Sequence, residues 1–294
     1  MFKPATKEKQ KLRLAISGPP GTGKTFSALR IATGMGGKIA LADSEHESAS
    51  LYADKFKFYT ASIDAPHAIS SYIDAIRDAE KAGYSVLIID SLSHAWEFVL
   101  GEVEKLAKAK YSGNTYRAWA EGNALQGELF EAILASKLHV ICTMRSKMEY
   151  SMEDGANGKK TVKKLGMAPV QRNGAEYEFT MQMEGMPGPT HIFTMTKDRT
   201  GKFQDKEIES PGEAFGKELI DWLNDGIDPE ERMEQEAVPL RKDILAEYKK
   251  LEAPSDDLKI FIDNLNAERN GQLLKAALVK VRALIKRQED NKPI

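Results

Sequence analysis

Residues 12–25 read Leu12-Arg13-Leu14-Ala15-Ile16-Ser17-Gly18-Pro19-Pro20-Gly21-Thr22-Gly23-Lys24-Thr25, and they decide how the rest of the chain is read. A strand-sized apolar run leads into a Gly/Pro-rich loop, and a helical pattern follows from about Thr25. The loop meets G-x-x-x-x-G-K-[ST] at every fixed position. Its glycines permit positive φ, so that successive backbone N–H groups can turn inward on phosphate oxygens. The opening of the next helix aims its positive dipole end at the same anion. Gly18, Pro19, Pro20, Gly21, Thr22, Gly23, Lys24, Thr25 and the adjoining Phe26 are therefore the candidate nucleotide contacts. Lys24 is expected on the β- and γ-phosphates, and the Thr25 hydroxyl on Mg2+.

Working outward, Val86-Leu87-Ile88-Ile89-Asp90-Ser91 is an apolar strand ending in a carboxylate. Paired with the loop, it makes Asp90 the candidate metal-side acid. The guanine-specific [NT]-K-x-D pattern fails at Thr196-Lys197-Asp198-Arg199, so ATP is expected rather than GTP. Hydrolysis also needs a carboxylate on the attacking water. Ser91 stands directly after Asp90, which leaves the acidic end of the preceding strand, Leu41-Ala42-Asp43-Ser44-Glu45-His46, as the source. Asp43, Glu45 and Glu47 are the candidates for this carboxylate, and the residues alone leave the choice among them open.

Together these pieces resemble the RecA-type ATPase core. Within that superfamily the chain most closely resembles phage-encoded RecA-like ATPases linked to single-strand annealing, of the kind labelled "AAA domain". The resemblance spans residues 10–226 and rests on GPPGTGKT, LADSEH, IDSLSHAWE, Tyr116-Arg117-Ala118-Trp119 and Thr143-Met144-Arg145-Ser146-Lys147. It implies an ATPase with Glu45 as its catalytic carboxylate. It implies γ-phosphate sensors at Thr143 and Arg145, ending the strand beside Asp90; the alternative for Arg145 is a surface ion pair. Lys197 and Arg199 resemble a K-x-R pair that reaches the phosphate of a neighbouring subunit, with an exposed strand end as the alternative.

The resemblance also puts DNA-contacting segments at two irregular stretches. Residues 105–119 combine Lys105, Lys108, Lys110 and Arg117 with Tyr111, Tyr116 and Trp119. Cations that track phosphates, interleaved with rings that stack bases, suit sequence-tolerant single-strand binding, although Trp119 also fits a core position. Residues 146–166 lose all periodicity and read as a long loop carrying Lys147, Lys159, Lys160, Lys163 and Lys164. This lysine cluster is the better of the two DNA-contact candidates, with a loop of solvated charge as the alternative.

The remaining chain sets bounds. Its 294 residues are 41% hydrophobic and 29% charged with a net charge of −2, a composition that excludes wholesale disorder and a chain coating nucleic acid by bulk charge. No apolar run approaches the ~20 residues of a bilayer span, and the basic N-terminus lacks an apolar leader, so a cytoplasmic protein is expected. Cys142 reads as a buried strand thiol. Alternating strands and helices predict an α/β fold, a RecA-like P-loop NTPase core with a mostly parallel twisted sheet. The expected domains are an ATPase domain over 1–226, an acidic linker over 227–237 and a small helical module over 238–294. In the module's last helix Lys275, Lys280, Arg282, Lys286 and Arg287 surround an apolar face.

These features predict an ATP- and Mg2+-dependent, single-stranded-DNA-binding recombinase or annealing ATPase of phage type. It would act as a homo-oligomeric ring or filament, with no membrane partner and with a single-strand-binding or replication protein on the C-terminal module. A helicase or helicase loader, and a nucleotide-gated protein-binding switch, are the competing readings.

Overall fold

The computed structural model describes residues 6–154, 160–188, 190–252 and 254–290, and it divides into two compact units. The larger covers Gln10–Leu223. Its sheet is nine-stranded and mostly parallel. In chain order the strands are β1 (Arg13–Gly18), β2 (Ile39–Asp43), β3 (Tyr59–Ser62), β4 (Val86–Asp90), β5 (His139–Asp154), β6 (Lys160–Pro169), β7 (Met181–Gly185), β8 (Ile192–Asp198) and β9 (Glu207–Glu209). The spatial order is β3-β2-β4-β5-β1-β7-β8-β9, with β6 paired to the far part of β5. The central strands are parallel, while β8, β9 and β6 join antiparallel.

The helices are α1 (Lys24–Met35), α2 (Ile69–Lys81), α3 (Leu92–Lys110), α4 (Thr115–Ala135) and α5 (Glu213–Asn224). They cover both faces of the sheet, and the continuous apolar runs of β1, β2 and β4 follow from that. Alternate side chains enter opposite cores, as the two-residue strand period requires. Ala40, Ala42, Leu87, Ile89, Val140 and Cys142 pack under α2, α3 and α4. Leu14, Ile16, Ile39, Leu41, Val86 and Ile88 pack under α1 and α5. Cys142 is fully buried, and burial pushes its thiol up to about 12, so it is a packing residue.

Several elements differ from the sequence expectation. The long loop over 146–166 is replaced by a β-ribbon: β5 continues past Arg145 and pairs from Ser146↔Pro169 to Asp154↔Lys160. Ribbon pairing runs through backbone groups and leaves no apolar period to detect. The irregular stretch over 105–119 is the end of α3, a turn over 111–114 and the start of α4. β7 begins at Met181, after a 3-10 turn over Ala175–Glu178.

The smaller unit comprises residues 1–9 together with 224–294, so the boundary departs from the expected 1–226 domain. It contains α6 (Pro229–Tyr248), α7 (Asp256–Asp263) and α8 (Gly271–Asp290) around Ala237, Ile244, Leu265, Leu274 and Leu278. Residues 227–237 are not a linker. Asp228 caps α6 by accepting from the Glu230 N–H at 2.9 Å, and Pro229 opens the helix. The segment lacks an apolar stripe because α6 presents few side chains to a small core. Among the described residues, no helix is long and apolar enough to cross a membrane.

Candidate nucleotide-hydrolysis site

The loop after β1 turns through left-handed conformations at Gly21 (φ 80°) and Gly23 (φ 83°), and α1 begins immediately at Lys24. At Gly23 a side chain is disfavoured by conformation, and an added Cβ would crowd His191 Nδ1 at 3.2 Å. The Thr22 hydroxyl donates to the Pro19 carbonyl at 2.9 Å, and the Lys24 ammonium donates to the same carbonyl at 3.0 Å. Burial lowers the Lys24 pKa, opposed by the charges of Asp90 and Glu45. These groups therefore share one electrostatic environment.

Asp90 ends β4 and is 2% exposed. Its Oδ2 accepts from the Thr25 hydroxyl at 2.6 Å, and its Oδ1 accepts a short bond from the Thr143 hydroxyl of β5. Burial raises its pKa, and the two hydroxyls offset this in part. The Thr25 hydroxyl and the Asp90 carboxylate form an oxygen donor set of the hard kind that Mg2+ takes. The left-handed turns of the loop, with Lys24, fit a polyphosphate.

The three acidic candidates after β2 separate by geometry. The register Asp43↔Asp90 brings the ends of β2 and β4 side by side. Asp43 is buried and shapes the turn, accepting from the Glu45 N–H at 2.6 Å and the Ala49 N–H at 3.2 Å. Glu47 is exposed. Glu45 is half-buried and meets Arg145 in a two-pronged pair, with Nε to Oε1 at 2.9 Å and Nη2 to Oε2 at 2.5 Å. Burial raises the Glu45 carboxyl, but the guanidinium outweighs it, and the net shift is down.

Ser44 and Ser91 hold the two strand ends together. The Ser44 hydroxyl accepts from the Ser91 N–H at 2.9 Å and lies 2.8 Å from His94 Nδ1. The Arg145 N–H donates to the Ser93 hydroxyl at 3.0 Å, and its carbonyl accepts from the Val170 N–H at 2.6 Å. Arg145 is thereby joined to the start of α3 and to the base of the ribbon.

Beside the loop lies a cleft of about 440 Å³ lined by Lys24, Thr25, Phe26, Tyr52, Lys55 and His191, among others. Phe26 meets Tyr52 and Phe56 edge-on at 5.5 and 5.2 Å, so the wall is aromatic and suits a planar base. Tyr52, Lys55 and His191 had no signal in the sequence, because a 3-10 turn and the approach to β8 bring them to the loop.

Lys197 and Arg199 do not join this constellation. Asp198 pairs with Met181, which pairs with Leu14, so the end of β8 sits four positions back from Gly18 along the sheet. That is about 13 Å along the strands, with two strand spacings of ~4.8 Å across. The Lys197 ammonium rests on the Glu176 and Tyr177 carbonyls at 2.7 and 2.9 Å.

Two elements project past the edge that carries the loop. Arg145 is level with Gly18, and the ribbon continues from there to Asp154, about 30 Å at ~3.3 Å per residue. Lys160, Lys163 and Lys164 belong to β6, whereas Lys159 lies outside the described residues. The end of α4 is tied to the end of α2, because Glu80 accepts from the Ser136 hydroxyl and the Lys137 N–H at 2.8 Å. Leu125 of α4 flanks Ile69 and Ile73 at the start of α2. Residues 115–124 therefore extend beyond it by about 15 Å at 1.5 Å per residue. Tyr116 is 88% exposed there, with Lys108 and Arg117 also exposed. Lys110 instead pairs with Glu121 at 3.3 Å, and Trp119 stacks on Trp96 at 5.7 Å as a packing residue.

A family model described as "AAA domain" matches residues 10–185, more than half of the chain. No curated protein matches it.

Proposed function

The chain belongs to this AAA-domain family, and from that premise we propose that it is an ATP-dependent, single-stranded-DNA-binding ATPase of the RecA-like recombinase or annealing kind, working as an oligomer. The observation that carries the reading is the adjacency of β2 and β4, which sets Glu45 beside Asp90 although Ser91 occupies the position after Asp90. The loop N–H groups and Lys24 bind and orient the phosphates. Thr25 and Asp90 would hold Mg2+, which supplies charge neutralisation on the phosphates when bound. Glu45 orients and deprotonates the attacking water, and ADP and phosphate leave. Arg145, within reach of Glu45, senses the γ-phosphate.

Single-strand binding is supported by the two projections on the loop's own edge, one bearing Lys108, Tyr116 and Arg117 and the other Lys160, Lys163 and Lys164. Charge and an exposed ring at one edge suit a sequence-tolerant strand. Phage-type annealing or recombination is the role that this combination fits, with cytoplasmic action on DNA.

The deciding measurement is ATP turnover with and without single-stranded DNA, using Lys24→Ala as the inactive control. Turnover that rises with single strands and vanishes in Lys24→Ala is expected. Turnover indifferent to DNA, in a protein that retains no single strand at low salt, would overturn the DNA part and leave a protein-binding switch.

A further inference from the structure

α8 has two unlike faces. Leu274, Leu278 and Val281 are buried in the smaller unit. Around the opposite face, at about 100° per residue, the exposed cations fall into two rows. Lys275, Arg282 and Lys286 make one row, and Lys280 and Arg287 make the other, about 120° around the helix. From Lys275 to Arg287 the strip between the rows holds the exposed Ala276, Val279 and Ala283, with Gln272 before and Asp290 after on the same line. The sequence from Gly271 to Gln288 contains no carboxylate. Arg282 reaches Glu247 at 3.4 Å; the other four cations form no ion pair among the described residues. Of the α6 carboxylates, Glu234 pairs with Arg241 at 2.7 Å, and Glu247 is shared between Arg282 and Lys250, the latter at 2.7 Å.

We propose that the exposed face of α8 docks in the major groove of duplex DNA, each row of cations meeting one of the two flanking phosphate backbones. A helix with its side chains is about 10–12 Å across, and the major groove is about 12 Å wide. The small central strip lets the helix axis approach the groove floor, where Val279 and the alanines offer apolar contact and no base-reading pattern. Binding is therefore sequence-tolerant and dominated by phosphates. From Lys275 to Arg287 the helix runs about 18 Å, the length of about five phosphates on each strand. The major groove of A-form RNA is too deep and narrow to admit it. An acidic protein fits less well, because a flat partner meets one row and leaves the other in solvent. This face belongs to the smaller unit and the phosphate loop to the larger, and the binding needs no ATP.

The test is fluorescence anisotropy of the full chain with a random-sequence 20-bp duplex (a length chosen at about two helical turns), without nucleotide, over a salt series. Two double variants each remove one row: Lys275→Gln with Lys286→Gln, and Lys280→Gln with Arg287→Gln. Each is expected to flatten the log–log salt slope by about 1.8, at ~0.9 for every phosphate left without its cation. Ala283→Phe, which fills the central strip and keeps the charge, is expected to weaken duplex binding at least tenfold and to spare single-strand binding. Circular dichroism verifies that the helices persist, and ATP turnover is expected to be unchanged in all three. The proposal is overturned by unaltered slopes, by a response to only one row, or by a chain that ignores duplex DNA and retains an acidic peptide on this face. Such a failure leaves the ATPase reading standing, since that is read by turnover alone.

Discussion

Glu45 is held by the same residue that sets its acidity. Both of its carboxylate oxygens accept from Arg145, and the net effect keeps the carboxyl below the ordinary 4.5 of a glutamate despite partial burial. A group with a depressed pKa stays charged as pH falls until that lowered value is reached, so the pair persists into mild acid. Glu45→Gln preserves shape and removes the base. It is expected to retain nucleotide in a fluorescent-analogue titration while turnover falls about 10²–10⁴-fold. Normal turnover in this variant would move the catalytic role away from Glu45. In Arg145→Ala only the smaller effects of His94 and Ser91 oppose the burial of Glu45, so its carboxyl rises and the acid limb of the pH–rate profile of the remaining activity shifts upward. A limb that stays in place would show that the ion pair does not set the base.

At the scale of elements, α1 matters because it begins at Lys24 and carries the loop's geometry into the core. Gly34 of α1 and Gly216 of α5 let the two helices touch backbone to backbone: a Cβ at Gly34 would collide with the Glu213 carbonyl, and one at Gly216 with the Ile31 carbonyl. Backbone cannot turn aside as a side chain does. Gly34→Ala is therefore expected to cost about 1–3 kcal/mol in denaturant unfolding. Unchanged stability would mean that α5 moves freely.

The α3–α4 tip permits a finer separation. Replacing Lys108 and Arg117 with Gln is expected to flatten the salt dependence of single-strand binding by about 0.7 for each phosphate left without its cation. Tyr116→Ala is expected to weaken binding with the slope kept, because stacking releases few counterions. Identical slopes in the charge variant and wild type would remove the tip from the DNA site.

For the whole molecule, the distance of Lys197 and Arg199 from the loop of their own chain is the instructive fact. If they act, they act on another copy. Mixing Lys24→Ala protein with Arg199→Ala protein is then expected to restore part of the ATP turnover that neither has alone, since some interfaces pair an intact loop with an intact finger. Specific activity that holds constant on dilution to a demonstrated monomer would end that idea.

The local chemistry of the site was legible in the sequence, because a phosphate loop is a contiguous device. Its glycines, Lys24 and Thr25 are consecutive in the chain, and an apolar run ending at Asp90 announces its own carboxylate. The alternation of strands and helices was legible for a similar reason, since each buried strand and amphipathic helix writes its period into neighbouring residues. The ribbon of β5 and β6 left no clear mark in the sequence, because backbone pairing imposes no side-chain period. Only the tertiary structure separated Asp43 from Glu45, through the N–H groups that Asp43 accepts and the guanidinium that reaches Glu45 from β5. It alone brought Tyr52 and His191 to the loop and placed residues 229–237 of the expected linker in a helix. Those decisions depend on which segments become neighbours across the fold, and strand order and packing create such neighbours between residues far apart in the chain.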